Sequence, residues 1–388
     1  MSYLRQPEIH KISMTKASGF FVAATGQNVG KTTSCLGLVS GLQKRLGSVG
    51  FLKPVGQEHI ITPSGSPVDK DVILFKDHFH LKESCEEMSP VLFPKGFTRG
   101  YLDGKIDHSD MTAKIQNAYR TISEQAKVTV IEGTGHTGVG SIVELNNAQV
   151  AKMLDVPVLL IAPGGLGSSF DELALNILMC QHHGARVAGV ILNRVLEEKR
   201  GMVVEYMTKA LSRWNIPLLG CIPYSAFLSS PTMQDFEGLF QTELLSGQSH
   251  RIRHFRHIRL VASSLEIYKS NIPPHQLIVT PAIREEIILA TLTKYWDTKI
   301  AQPEQKLEIG MILTGKQAPK DTIVEQIKRA DIPMLYIPVS SFIAMKMISS
   351  HISKIRTEDT VKVRQAIQLV ESHIDFDCLL RSSTSQTG

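Results

Sequence analysis

Gly30, Lys31 and Thr32 stand together at the end of a short glycine-bearing loop, Gly26-Gln27-Asn28-Val29-Gly30. The loop follows an apolar run from Phe20 to Ala24 and leads into a helical pattern with Leu36, Leu38, Val39 and Leu42 on one side. Strand, glycine loop, Lys-Thr and helix together make a phosphate cradle. Successive backbone N–H groups wrap the anion, and the helix start adds unpaired donors and a favourable dipole. Lys31 reaches outer phosphates as a point charge. The hydroxyl of Thr32 takes one position on Mg²⁺, which prefers oxygen ligands and keeps several waters. Gly26, Gln27, Asn28, Val29, Gly30, Lys31, Thr32 and Thr33 are the expected phosphate contacts. The spacing departs from the usual one in a single respect: Thr25 stands where the first glycine is expected, and Gly26 follows it.

Further candidates lie at the ends of later apolar runs. Lys53, fixed by Pro54, is expected to point into the same crevice. Asp69 and Asp71 precede a helical run; either one caps it or helps hold Mg²⁺, with Asp71 the preferred metal partner. Glu132 follows the apolar run 128–131, where a carboxylate holds Mg²⁺ directly or through water. The loop from Gly133 to Ser141 brings backbone N–H groups toward a second anion, and its His136 reads more readily as a surface hydrogen-bonding group than as an acid–base one. A loop at 162–169, with Gly164, Gly165 and Gly167, leads into a further helix. Asn193 ends another apolar run. Its amide suits the edge of a purine, or it ends the strand by bonding its own turn.

The elements that must position these residues alternate. After the first strand come strands at 49–55, 128–131, 156–161, 187–192 and 216–222. Helices fall at 32–45, 109–125, 144–154, 171–183 and 199–214. Continuous apolar strands separated by helices predict a parallel sheet covered on both faces. Such sheets bind ligands at the carboxyl ends of their strands, where the candidates above stand.

The chain has 388 residues, 43% of them hydrophobic, with a net charge of +5. That length predicts two domains with ample core, and the modest charge argues against a nucleic-acid binder. Five scattered cysteines without a CxxC spacing read as reduced thiols of a cytoplasmic protein. No run of about 18 apolar residues occurs, so no membrane span is expected. Residues 1–17 are expected to be a loose tail.

Residues 231–247 read as a connector. The stretch 248–259 carries Arg251, Arg253, Arg256 and Arg259 with three histidines, and reads as a charged interdomain or dimer surface. A smaller α/β unit is predicted beyond it. Its strands fall at 258–261, 276–279, 310–313 and 334–337, its helices at 282–293, 319–330, 342–352 and 359–373. The expected domains are 18–245 and 255–382.

Several motifs now stand in order: TGQNVGKT, KPVG, VIEGTGHTGVGS with NNA after it, GGLGSSFDEL, GVILNRV and LLGCIPY. Over most of the first 225 residues they resemble the ATP-binding domain of dethiobiotin synthetases. The likeness is closer still to the related domain at the N-terminus of long phosphate acetyltransferases and of stand-alone relatives. The second half resembles the DRTGG domain that accompanies it, through TPAIREEII and LTGK, with Ile283-Arg284 and Thr314-Gly315-Lys316 at the name's positions. The resemblance implies an α/β P-loop NTPase with a doubly wound, mostly parallel sheet and a smaller DRTGG-like α/β domain. It implies ATP and Mg²⁺ as ligands and three catalytic groups. Lys31 meets phosphate, Lys53 faces the reacting anion, and Glu132 serves the metal with Thr32. Asn193 reads adenine. Arg284, Thr314 and Gly315 are the ligand candidates of the second domain; a packing or dimerisation role is the alternative. Asn28 stands where the synthetases carry an acid, and Asn193 lacks the proline that follows theirs. The expected function is a cytoplasmic Mg-ATP-binding protein with slow or regulated ATPase activity and a regulatory or assembly role. It would act as a homo-oligomer or with a protein partner, without the acetyl-transferring domain. The alternatives are an ATP-dependent ligase or amidase-type enzyme that activates a small carboxylate, and a scaffold whose nucleotide site is dead.

Overall fold

The computed structural model describes residues 18–301, 304 and 307–384, so the expected tail at 1–17 lies outside the described residues. The chain divides into two compact units. The first runs to Tyr224 and resumes at Val363; the second spans Ser225–Lys362.

The first unit is built on six parallel strands: β1 (Ser18–Ala24), β2 (Val49–Leu52), β3 (Val128–Glu132), β4 (Val158–Pro163), β5 (Val187–Val195) and β6 (Leu218–Pro223). Their order across the sheet is β6-β5-β4-β1-β3-β2. From β1 the chain crosses to the edge strand β2, returns to β3 between the two, and then builds out on the other side through β4, β5 and β6. The order therefore reverses beside β1, the place at which sheets of this kind take ligands at their strand tips. The central strands are buried throughout, as their unbroken apolar runs require. Among the helices that flank the sheet are α1 (Lys31–Leu46), α2 (Lys70–Phe79), α3 (His108–Gln125), α4 (Asn147–Met153), α5 (Gly167–His182) and α6 (Arg200–Ser212).

Two boundaries differ from expectation for local reasons. The strand expected at 49–55 stops at Leu52. Pro54 has no N–H for the ladder, and Val55–Gly56 pairs instead with Val91–Leu92. The helix expected from 144 begins at Asn147. Asn146 and Gln149 close a capping box, while Glu144 turns left-handed with φ 56°.

The second unit carries α7 (Met233–Phe240), β7 (His257–Leu260), α8 (Leu265–Ser270), β8 (Gln276–Pro281), α9 (Glu285–Ala301), β9 (Gly310–Thr314), α10 (Asp321–Arg329), β10 (Met334–Ile337) and α11 (Ser341–Ser350). Its four strands are parallel and lie in simple chain order, β7-β8-β9-β10. One face is sealed by a core including Ile287, Ile288 and Ile327, the other by Phe236, Phe255, Ala344 and Ile348. The stretch expected as a connector thus holds a helix, α7, started by a Thr232–Asp235 capping box. The arginines of 248–259 are largely spent inside this unit. Arg251 pairs with Glu237 at 2.8 Å, and Arg253 and Arg259 donate to the carbonyls of Ile309 and Asn271.

The largest departure is at the end of the chain. The second domain was expected to run to 382 with its last helix at 359–373, yet from Val363 the chain rejoins the first unit and carries α12 (Thr360–Glu371) and a further helix, α13 (Phe376–Thr384). They lie against α1. A methyl group placed on Gly37 would come within 2.3 Å of Val370, and one on Gly41 within 2.1 Å of the Phe376 ring. Each glycine costs α1 about 1 kcal/mol of helix propensity, and the close approach it allows explains its presence. Arg45 covers the Phe376 ring at 4.2 Å, and Ile374 bridges to Gly220 of β6. Among the described residues no helix is long and apolar enough to cross a membrane.

Candidate functional site

The loop between β1 and α1 is held open by two left-handed residues, Asn28 at φ 57° and Gly30 at φ 103°. Gly30 is the N-cap of α1 and offers no side-chain acceptor, so no cap competes for the N–H groups of the first turn. Neighbouring backbone anchors the loop's base: Thr25 donates to Ile161 of β4, and Thr137 donates to Ala24 of β1. The Thr25 hydroxyl, in the place of the usual glycine, donates to Glu172 at 3.1 Å.

Four of the expected residues, Thr32, Lys53, Asp71 and Glu132, meet at the tips of β1, β2 and β3. Glu132, 1% exposed, closes β3. Its Oε1 accepts from the Thr32 hydroxyl at 2.9 Å and from Lys53 Nζ at 3.0 Å. Lys53 Nζ also donates to Asp71 at 2.8 Å. Asp69 caps α2 by accepting from Asp71 N, so of the two aspartates it is the one that starts the helix. Lys31 is buried and donates to the carbonyl of Gly135, a neutral partner. The second oxygen of Glu132 is buried without a hydrogen-bond partner.

The electrostatics follow from burial. Burial lowers the pKa of Lys31 below its ordinary value; Glu132 pulls the other way, and the charge of Lys53 adds to the lowering. For Lys53, burial also works against the charge, but Asp71 and Glu132 outweigh it, and its pKa stands well above the usual lysine value. Burial raises the pKa of Glu132, with Lys53 opposing. The cluster therefore contains a lysine locked into ion pairs, Lys53, and a second, Lys31, that donates to a neutral carbonyl. An arriving polyanion relieves the second one's desolvation. A buried carboxylate oxygen without a donor fits a divalent cation or a cation-bound water. That oxygen and the Thr32 hydroxyl are two oxygen groups of the kind a largely hydrated Mg²⁺ takes, and Asp71 lies one lysine away.

The loop after β3 is braced from within. Asn147 accepts from Thr134 N and donates to the carbonyls of Thr134 and His136. A methyl group on Gly133 would come within 2.7 Å of both Asn147 and Phe21. The exposed His136 accepts from Gly138 N at 3.2 Å, a turn role.

Asn193, expected to read adenine, spends its amide on protein backbone. Its Nδ2 donates to Val29 O at 2.8 Å and its Oδ1 accepts from Arg194 N at 2.9 Å. In the second unit the three expected ligand groups are likewise engaged. Arg284 donates to Val261 O, Ser263 O and Glu286. Thr314 shares a hydrogen bond with Ser341, and Gly315 O accepts from Tyr336. Sequence reasoning gave no role to Asn146 or Asn147, although Asn146 with Gln149 three residues later is a capping-box signal.

Comparison with known proteins places these observations in a lineage. The profile of a family described as "AAA domain" matches residues 18–232, and one described as "DRTGG domain" matches 239–351. A phosphate acetyltransferase of Pseudomonas putida is 28% identical over 376 residues, covering 92% of this chain and 50% of the relative. The chain thus spans about half the length of the curated phosphate acetyltransferases it matches. The ATP-dependent dethiobiotin synthetase BioD of Bacillus subtilis is 26% identical over 222 residues, 55% of this chain and 91% of that protein. Among solved structures, the MinD cell division protein of Aquifex aeolicus matches 54% of this chain and 83% of its own, with TM-score 0.32 and 15% identity.

Proposed function

The chain belongs to the AAA-domain family matched over residues 18–232, and from that premise we propose a Mg-ATP-binding protein with slow or regulated hydrolysis and a regulatory or assembly role. The observation that supports this most is Glu132, sealed at a strand tip beside Thr32 with one oxygen unsatisfied. In this reading the triphosphate lies along residues 26–33. Lys31 leaves the Gly135 carbonyl for the outer phosphates, and the loop N–H groups fix their positions. Lys53 keeps Glu132 ionised. Thr32 and Glu132 would hold Mg²⁺, with Asp71 nearby, and the ion would neutralise phosphate charge. The remaining work of the chain is positioning and charge stabilisation. All five cysteines are free, which supports a reducing, cytoplasmic setting. The DRTGG domain passes nucleotide state to a second copy or to a protein partner.

Titration calorimetry with Mg-ATP, repeated in EDTA, tests the site: saturable binding that weakens on chelation is the expected result. Absence of any heat or competition with Mg-ATP removes the reading.

A second reading, activation of a small carboxylate as its acyl phosphate, draws on the likeness to BioD over nearly the whole of that protein. ADP release that requires an added carboxylic acid supports it. Release indifferent to a panel of such acids supports the first reading.

A further inference from the structure

Asn193 sits where a base-reading amide is expected, yet its geometry serves the loop. It ends the regular part of β5, one strand removed from β1, and reaches past β4 to Val29. A methyl group on Gly30 would come within 2.1 Å of its Nδ2, so the amide lies directly beneath the loop's left-handed glycine. Its own position is fixed on three sides. Arg194 N donates to Oδ1, Arg194 is left-handed at φ 58°, and Gly164 N donates to Asn193 O at 2.6 Å. The residue is 5% exposed. A short side chain with a donor at one atom and an acceptor at the other is what this place requires. Aspartate would set a carboxylate against the Val29 carbonyl and beside a phosphate site, and glutamine is a methylene too long for the gap under Gly30.

We propose that Asn193 is a positioning residue for the phosphate loop and not a reader of the nucleobase. It ties the tip of β5 to Val29 and so holds Gly30, with the first N–H groups of α1, in the anion-binding shape. This deepens the proposed function and rests on it. In consequence Asn193 contributes to affinity for the triphosphate whatever base is attached.

The test compares wild type with Asn193→Ala and Asn193→Ser, each checked for an intact thermal transition. Binding is measured for Mg-ATP, Mg-GTP and inorganic tripolyphosphate with Mg²⁺. Asn193→Ala, which orphans a buried carbonyl, is expected to weaken all three by the same factor, on the order of tenfold. The ATP-to-GTP ratio stays at its wild-type value, and serine recovers part of the loss. A collapse of that ratio with tripolyphosphate binding unchanged overturns the proposal, as does unchanged binding of all three. Failure of wild type to bind any of them overturns the proposed function itself, which separates the two outcomes.

Discussion

The two units present the same surface, the carboxyl tips of a parallel sheet, and have put it to different use. In the first, the strand order reverses beside β1 and makes a switch point there. At it stand a lysine resting on a neutral carbonyl, a hydroxyl, and a carboxylate with an unpaired oxygen. In the second, the strands follow one another without reversal, so no switch point parts the connections above them. The polar groups there close on each other: Arg284 on two carbonyls and Glu286, Thr314 on Ser341. Polar residues at strand tips therefore do not by themselves make a site. What separates the two regions is the kind of capacity left over once the fold is complete: a buried carboxylate oxygen of Glu132 in the first, and the neutral hydroxyl of Thr280 at the end of β8 in the second.

The strongest way to break this contrast is Lys53→Met. It leaves Glu132 and Asp71 without their buried partner and is expected to cost about 3–5 kcal/mol. Its pH dependence has a definite sign. Without Lys53 the folded state holds the Glu132 proton to a higher pH, while the unfolded chain releases it near the ordinary value of 4.5. The folded state then binds more protons, so stability falls as pH rises above that value. Melting curves between pH 5 and 8 that show no steeper decline than wild type argue against the pair.

Lys31→Ala comes next. It is expected to weaken Mg-ATP by about a hundredfold with little change in melting temperature, because its present partner is one carbonyl. Calorimetry in which the variant binds like wild type means the loop is not the phosphate site. Arg284→Ala sharpens the other side of the contrast. Losing the bonds to Val261 and Ser263 is expected to cost the second unit about 1–2 kcal/mol, read by denaturant unfolding, and to leave Mg-ATP affinity within about twofold. A large affinity change with unchanged stability makes Arg284 a ligand group after all. Thr314→Val is the smallest: about 0.5–1.5 kcal/mol from one hydrogen bond, and no effect on nucleotide.

Much of the first unit was legible because its determinants are local. The run 187–192 is apolar without alternation and so is buried on both faces; a carboxylate directly after 128–131 sits at a strand tip. The use of Asn193 was not legible, because an amide at such a tip looks the same whether it meets a purine or the carbonyl of Val29, far away in sequence. Arg284 is ambiguous for the same reason: a guanidinium at a helix start pairs equally well with a ligand or with the chain's own carbonyls, here those of Val261 and Ser263. The destination of 363–384 was hidden too. Helical periodicity records that a face is buried and not which unit buries it. Gly37 and Gly41, four apart on α1, were the available sign that another element crosses there.

That crossing has a consequence for biosynthesis. The helix that carries Lys31 leaves the ribosome about 300 residues ahead of the segment that covers its glycines, on the order of half a minute at ordinary elongation rates. The first unit cannot finish folding until the whole of the second has been made. An expression clone ending anywhere in 225–362 yields a nucleotide domain with a bare seam, and a shorter clone meant to isolate it needs 363–384 restored by a linker.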